Sequence, residues 1–162
     1  MNILNGITIR KAAKSDISAI FDLLYTYAKK GLLLPPCKEN ISSRLGTFIV
    51  AVCNEKVIAC ASLRDFDNRL FEVRSLAVNT EFAGKQIGSK LVTHLLTEFK
   101  IPGGSRIFAL TYRSTFFERL GFKCVSKKLF PEKIWHDCEQ CPKKDHCDEQ
   151  AVMMITPIQE EI

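Results

Sequence analysis

At 162 residues, with 46% apolar and 25% charged side chains, the chain suits one domain with a sizeable core and has the balance of an ordinary globular protein. A formal net charge of +5 favours anionic ligands, yet no block of about five like charges occurs, so neither a dedicated nucleic-acid surface nor a nucleic-acid partner is expected. No run approaches the ~20 apolar residues of a membrane span, the first residues enter a strand pattern without a secretory leader, and the seven cysteines then read as reduced thiols of a cytoplasmic protein.

Ile7 to Arg10 is an expected strand, and Ser15 an expected cap for a helix whose apolar positions Ile17, Ile20, Phe21, Leu24, Tyr27 and Ala28 keep helical spacing. Lys29, Lys30 and Gly31 make a favourable helix end, because cations offset the partial negative charge there and Gly accepts the left-handed cap. LLLPP reads as a packed loop leading into a short helix near Lys38 to Leu45. Thr47 to Val52 and Val57 to Leu63 form a predicted hairpin across Asn54-Glu55-Lys56, and Leu70 to Val78 is the next strand. From Gln86 to about Phe99 a helix carries Ile87, Leu91, Leu95, Leu96 and Phe99 on one face, and PGGS ends it. RIFALTY is a strand, Ser114 opens a short helix ended by Gly121, and FKCVSKKLF and AVMMITPI are the last strands. No internal repeat or linker interrupts this order. Residues 1–162 are therefore expected to form a single α/β (α+β) domain with a mixed, largely antiparallel sheet.

The most informative stretch is FEVRSLAV-NTEFAGK-QIGSKLVTHLLTEF, residues 71–99. A helix that starts just after a strand offers several unpaired N–H groups to one anion. Small residues at Ala83, Gly84, Gly88 and Ser89 admit close approach to the backbone, and Lys85 and Lys90 add positive charge. That is the pattern of a phosphate site.

Residues 71–89 and 104–122 resemble the GCN5-related N-acetyltransferases (GNAT), acyl-CoA-dependent enzymes with a mixed, splayed sheet flanked by helices. The family turn carries Arg or Gln, two variable residues, Gly, one variable residue, then Gly or Ala. Here those positions are Ala83, Gly84, Lys85, Gln86, Ile87 and Gly88, so the first and middle signature residues are absent. The resemblance implies acetyl-CoA as co-substrate, held by Ala83 through Ser89, by the backbone of Leu76, Ala77 and Val78 along its pantetheine arm, and by Phe117. RSLAV (74–78), FALTY (108–112), FFERLGF (116–122) and KIWHDCEQCPKKDHCDE (133–149) look more narrowly like the short, stand-alone N-acetylglutamate synthases. These acetylate the α-amine of glutamate at the start of arginine biosynthesis. With no amino-acid-kinase segment in the sequence, arginine feedback through one is not expected.

The resemblance also assigns roles. Glu72 would act through water as general base, since an ammonium must lose a proton before it attacks; an outward strand carboxylate in a salt bridge is the alternative. Arg74, on the same strand face, would clamp a substrate carboxylate with its fork of donors. Lys30 is a second carboxylate partner or simply a helix-end charge. Relatives often place the acid for the leaving thiolate at the position of Phe117, so Tyr112 is the available substitute, unless CoA leaves unaided. Backbone N–H groups near Ala77 would hold the oxyanion.

Cys138, Cys141 and Cys147, spaced C-x2-C-x5-C, could complete a tetrahedral zinc site with His136. Free thiols or a local disulfide are the alternatives. Cys37, Cys53, Cys60 and Cys124 read as small core residues, and His94 as a solvated helix residue. The expected partner is a small-molecule amine or amino acid, and a homodimer is left open. The competing readings are another small amine, a polyamine or a peptide as acceptor, and a non-catalytic acetyl-CoA-binding module.

Overall fold

The computed structural model of the chain describes residues 6–129 and 150–156. Its elements in order are β1 (Ile7–Lys11), α1 (Ile17–Lys29), α2 (Lys38–Ser43), β2 (Phe48–Cys53), β3 (Lys56–Asp65), β4 (Leu70–Val78), α3 (Ile87–Glu98), β5 (Arg106–Thr111), α4 (Ser114–Glu118), β6 (Lys123–Val125) and β7 (Gln150–Ile155). They form the expected mixed α/β architecture, with strand order β1-β2-β3-β4-β5-β7-β6. β4 and β5 pair in parallel, whereas β1–β2, β2–β3, β5–β7 and β6–β7 are antiparallel. The chain divides into two compact units, Met1–Arg64 with Val73–Lys100, and Asp65–Glu72 with Ile101–Ile162. No helix among the described residues is long and apolar enough to cross a membrane.

In the first unit Phe48 to Ala51 is buried without a break, because helices cover both faces of β2. Phe48 and Val50 join Ile20 and Leu24 of α1, Ile41 of α2, Cys60 of β3 and Ala77 of β4 in one cluster. Alternation turns Ile49 and Ala51 to the opposite face, and α3 packs on β2 with Ile87, Leu91, Val92 and Leu95 buried. The hairpin is tighter than the expected three-residue loop. Cys53 lies opposite Lys56, and Asn54 (φ 50°) and Glu55 (φ 62°) both take left-handed backbone, the combination that matches strand twist in two-residue turns.

In the second unit Leu70, Phe108 and Ala151 form one buried cluster among the described residues, with Phe66, Leu110, Val125 and Met153 around it. Phe66 packs on Phe108 at 5.8 Å between ring centroids.

Three local expectations change. Ser15 is not the cap of α1: a 3-10 turn at Lys14–Asp16 precedes it, and Asp16 turns its carboxylate back to accept from Ala13 N–H at 2.7 Å. α3 begins at Ile87, with Gln86 outside the helix. Of the four cysteines expected in the core only Cys60 is buried; Cys37 and Cys124 are exposed and Cys53 is half-buried, because apolar neighbours in sequence do not dictate neighbours in space.

Candidate active site

β4 carries one residue more than regular pairing with β3 needs. Phe66 N–H donates to Leu70 C=O near the start of β4, and Asn79 N–H donates to Ile58 C=O at 2.7 Å just past its end. Between those bonds β3 spans one residue fewer than β4. The extra residue is accommodated at Ser75, whose φ of 52° is left-handed and marks a β-bulge. The carbonyls flanking the bulge are held from β3: Ser62 Oγ donates to Arg74 C=O at 3.3 Å and Cys60 Sγ to Ser75 C=O at 3.4 Å. Burial pushes the Cys60 thiol up to about 12, with the Ala77 N–H beside its sulfur working the other way. That thiol is a neutral donor.

Past the bulge, strand alternation sorts the amides. Asn79 and Ala77 face β3, so Leu76 and Val78 turn their N–H and C=O to the other edge. The β4–β5 ladder covers only Leu70–Glu72, and these outward groups lie beyond it. Ala77 N–H is turned toward Cys60, whereas Leu76 N–H faces the outward edge.

The turn after β4 is pinned by Asn79 Oδ1, which accepts from Glu81 N–H at 3.0 Å. Gly84 (φ 79°) and Gln86 (φ 61°, ψ 22°) both take left-handed backbone around Lys85, and Gly84 opens to free space where a side chain would project. Gln86 is the N-terminal cap of α3 and makes no side-chain cap bond; the first helical bond runs from Lys90 N–H to Gln86 C=O. The N–H groups of Ile87, Gly88 and Ser89 thus have no acceptor within α3, at the positive end of its dipole. Lys85 Nζ sits 5.4 Å from the Phe82 ring centroid, which keeps its charge beside the turn.

α1 reaches the end of β4 through Tyr27, whose hydroxyl donates to Val78 C=O at 2.5 Å. Lys30, exposed, places its ammonium 5.7 Å from the Tyr27 ring centroid. A pocket of about 350 Å³ lies between α1, the start of β3 and the end of β4, lined by Asp22, Thr26, Tyr27, Lys56, Val57 and Val78. Arg74 is half-buried one residue before the bulge.

In the second unit Glu72 is 2% exposed on β4, opposite Phe108 of β5. Tyr112 is half-buried just past the end of β5. Phe117 of α4 is 4% exposed and locked edge-on between Phe116 and Phe122, at 5.0 and 5.1 Å between centroids. Its ring is part of a packed aromatic cluster. Cys138, Cys141, Cys147 and His136 lie outside the described residues.

The profile of the acetyltransferase (GNAT) domain matches residues 44–124. An N-acetyltransferase of Chlorobaculum tepidum, itself uncharacterized, is 40% identical over 145 residues, covering 90% of this chain and 94% of that protein. This chain belongs to the GNAT acetyltransferase family. It is 29% identical over 126 residues to the amino-acid acetyltransferase of Escherichia coli, which covers 76% of this chain but only 28% of that enzyme. Among solved structures, N-acetylglutamate synthase of Neisseria gonorrhoeae, complexed with coenzyme A and N-acetyl-glutamate, superposes with a TM-score of 0.82 at 23% identity, over 93% of this chain and 35% of that one. A Mycobacterium tuberculosis protein in complex with CoA gives 0.74 at 27% identity, over 91% and 98%.

As a GNAT protein the chain is an acetyl-CoA-dependent N-acetyltransferase, and its backbone fits that co-substrate. The fit rests on two features: uncapped N–H groups at the head of α3 for a pyrophosphate, and the outward Leu76 and Val78 groups for an amide chain. Gln86 adopts the left-handed backbone for which the family keeps Gly, so the cradle survives the substitution at some conformational cost. Reading the sequence alone did not single out three residues that bond to carbonyls of this part of β4: Ser62 and Cys60 at the bulge, and Tyr27 at Val78. No local signal separates them from core residues.

Proposed function

We propose that the acetyltransferase acts on the α-amine of L-glutamate, the first step of arginine biosynthesis, by direct attack on acetyl-CoA in a ternary complex. The observation that carries this reading is the position of Arg74, one residue before the Ser75 bulge and two before Leu76. A carboxylate gripped there leaves the neighbouring amine close to the outward Leu76 N–H. The relationship to amino-acid acetyltransferases supports the same acceptor class.

Acetyl-CoA supplies an activated acyl thioester. The residues do the rest: Arg74 and Lys30 bind the acceptor's carboxylates, and Glu72, through a water, takes the proton from the amine. Leu76 N–H donates to the acyl oxygen as it gains charge. Tyr112 can return a proton to the departing sulfur. Ala83 through Ser89 hold the phosphates of the co-substrate, and Phe117 is a further co-substrate-binding residue. A zinc ion on Cys138, Cys141, Cys147 and His136 as a structural staple, a cytoplasmic location and a homodimeric assembly complete the proposal.

The test is an acetyl-CoA assay against a panel of amino acids, polyamines and peptides, with glutamate expected to be the preferred acceptor. Arg74→Ala should raise the glutamate KM at least tenfold; an unchanged KM removes the carboxylate assignment. Metal analysis of protein purified without chelator should find one zinc per chain, and no zinc would remove that part.

A further inference from the structure

We propose that Tyr27 is a positioning residue for the co-substrate: from α1 it fixes the Val78 carbonyl on the outward edge of β4, where the amide chain of CoA pairs. The inference rests on the reading that Leu76 and Val78 bind that chain, and adds a residue of another element to it. Val78 is the last residue of β4, and Asn79 N–H already faces β3, so the Val78 carbonyl belongs to the outward row. A carbonyl at the end of an edge has nothing from its own ladder to hold it in line. Here the Tyr27 hydroxyl holds it, across 51 residues of sequence, at 2.5 Å.

A carbonyl oxygen has two lone pairs, and one hydroxyl occupies one of them. The other is left for an amide N–H of the ligand. The Tyr27 ring is also tied to α1 by its neighbours: Lys30 lies over it, and the ring packs against the cluster built on Ile20 and Leu24. The hydroxyl is therefore delivered from a fixed base rather than from a swinging side chain. Phe at this position would keep the packing and the ring contact with Lys30 and remove only the donor.

Calorimetry on wild type and Tyr27→Phe separates the cases, with two probes: CoA, and adenosine 3′,5′-bisphosphate, which carries phosphates but no amide chain. Hydrogen exchange at Leu76 and Val78 with saturating CoA is the control. The expectation is that CoA protects both amides in wild type, and that Tyr27→Phe weakens CoA about five- to tenfold, the weight of one hydrogen bond. Bisphosphate affinity should not change, and in turnover the acetyl-CoA KM should rise with little change in kcat. If CoA protects the amides and Tyr27→Phe binds CoA as tightly as wild type, Tyr27 has no positioning role while the edge assignment stands. Equal weakening of both probes assigns Tyr27 to general stability and overturns the proposal. If CoA protects neither amide in wild type, the edge assignment fails and the proposal with it.

Discussion

Replacing Asp16 with Ala removes the tie between β1 and the start of α1. Its carboxylate accepts from Arg10 Nη1 at 2.7 Å, from Arg10 Nη2 at 3.1 Å and from Ala13 N–H at 2.7 Å. The residue is 4% exposed, whereas the Arg10 side chain is 43% exposed. Hydrogen bonds to a charged group are worth ~1.5–3 kcal/mol each. The Arg10 pair falls below that range because water reclaims an exposed guanidinium once its partner is gone. Taking ~1 kcal/mol for the pair and ~1.5 kcal/mol for the Ala13 bond gives a loss of about 2–3 kcal/mol. For a chain of this length that lowers Tm by about 5–10 °C. The Arg10 hydrogen bond, then Ala13 N–H and the Arg10 charge, hold the Asp16 carboxyl below its ordinary 3.8, with burial opposing them. A depressed folded pKa contributes stability that is present above the unfolded value and lost as pH falls through the folded one. Thermal melts at about pH 7 and about pH 3 therefore read both effects. Wild type should lose part of its margin over Asp16→Ala on acidification, so the two curves converge. A Tm within about 2 °C of wild type at neutral pH, or a gap that does not narrow in acid, refutes this account of the tie.

Gln86→Gly relieves a left-handed glutamine worth ~1–2 kcal/mol of strain and gives back ~0.5–1 kcal/mol of chain entropy. Tm should rise by about 1–3 °C with acetyl-CoA affinity within about twofold of wild type, and a fall in Tm is the contrary result. Phe117→Tyr places a hydroxyl in the packed cluster with Phe116 and Phe122, at a cost of ~1–3 kcal/mol. Turnover should not rise, and a gain in kcat would mean that the position can deliver an acid after all. Among the cysteines of the described residues, alkylation under native conditions followed by peptide mass mapping should label the exposed Cys37. Cys124, exposed likewise, should also be labelled without denaturation, and Cys60 should react only after it. Native labelling of Cys60 would contradict its burial.

How much of this was legible depends on the range of the interactions involved. β4 could be placed from Leu70 to Val78 because apolar, β-branched residues between turn residues carry their own signal. Gly31 at the end of α1 was equally local, with φ 73°. The bulge was not legible: a serine gives no sign of φ 52°, which follows from pairing with β3. Because the bulge was invisible, the sequence could place the outward N–H groups only near Ala77 and could not say which residues carry them. Gln86 was visible only as a missing glycine, and nothing in its side chain announces the left-handed backbone it adopts. The core or surface location of the cysteines failed for the same reason, being set by partners far along the chain. The zinc ligands in 133–149 fall outside the described residues.

The division of β4 between two units has a consequence for synthesis on the ribosome. Once Lys100 has emerged, β1 to β3, the far half of β4 and α3 hold all the segments of their unit, and they can consolidate around Ile20, Val50 and Leu91. The near end, Leu70–Glu72, must wait for Arg106–Phe108, and β5 in turn waits for Gln150–Ile155. The second unit is thus the late, long-range part of folding, and pairings over such separations close slowly. β4 is set early at Leu76 and Val78, while its stretch with Glu72 is the last to be clamped.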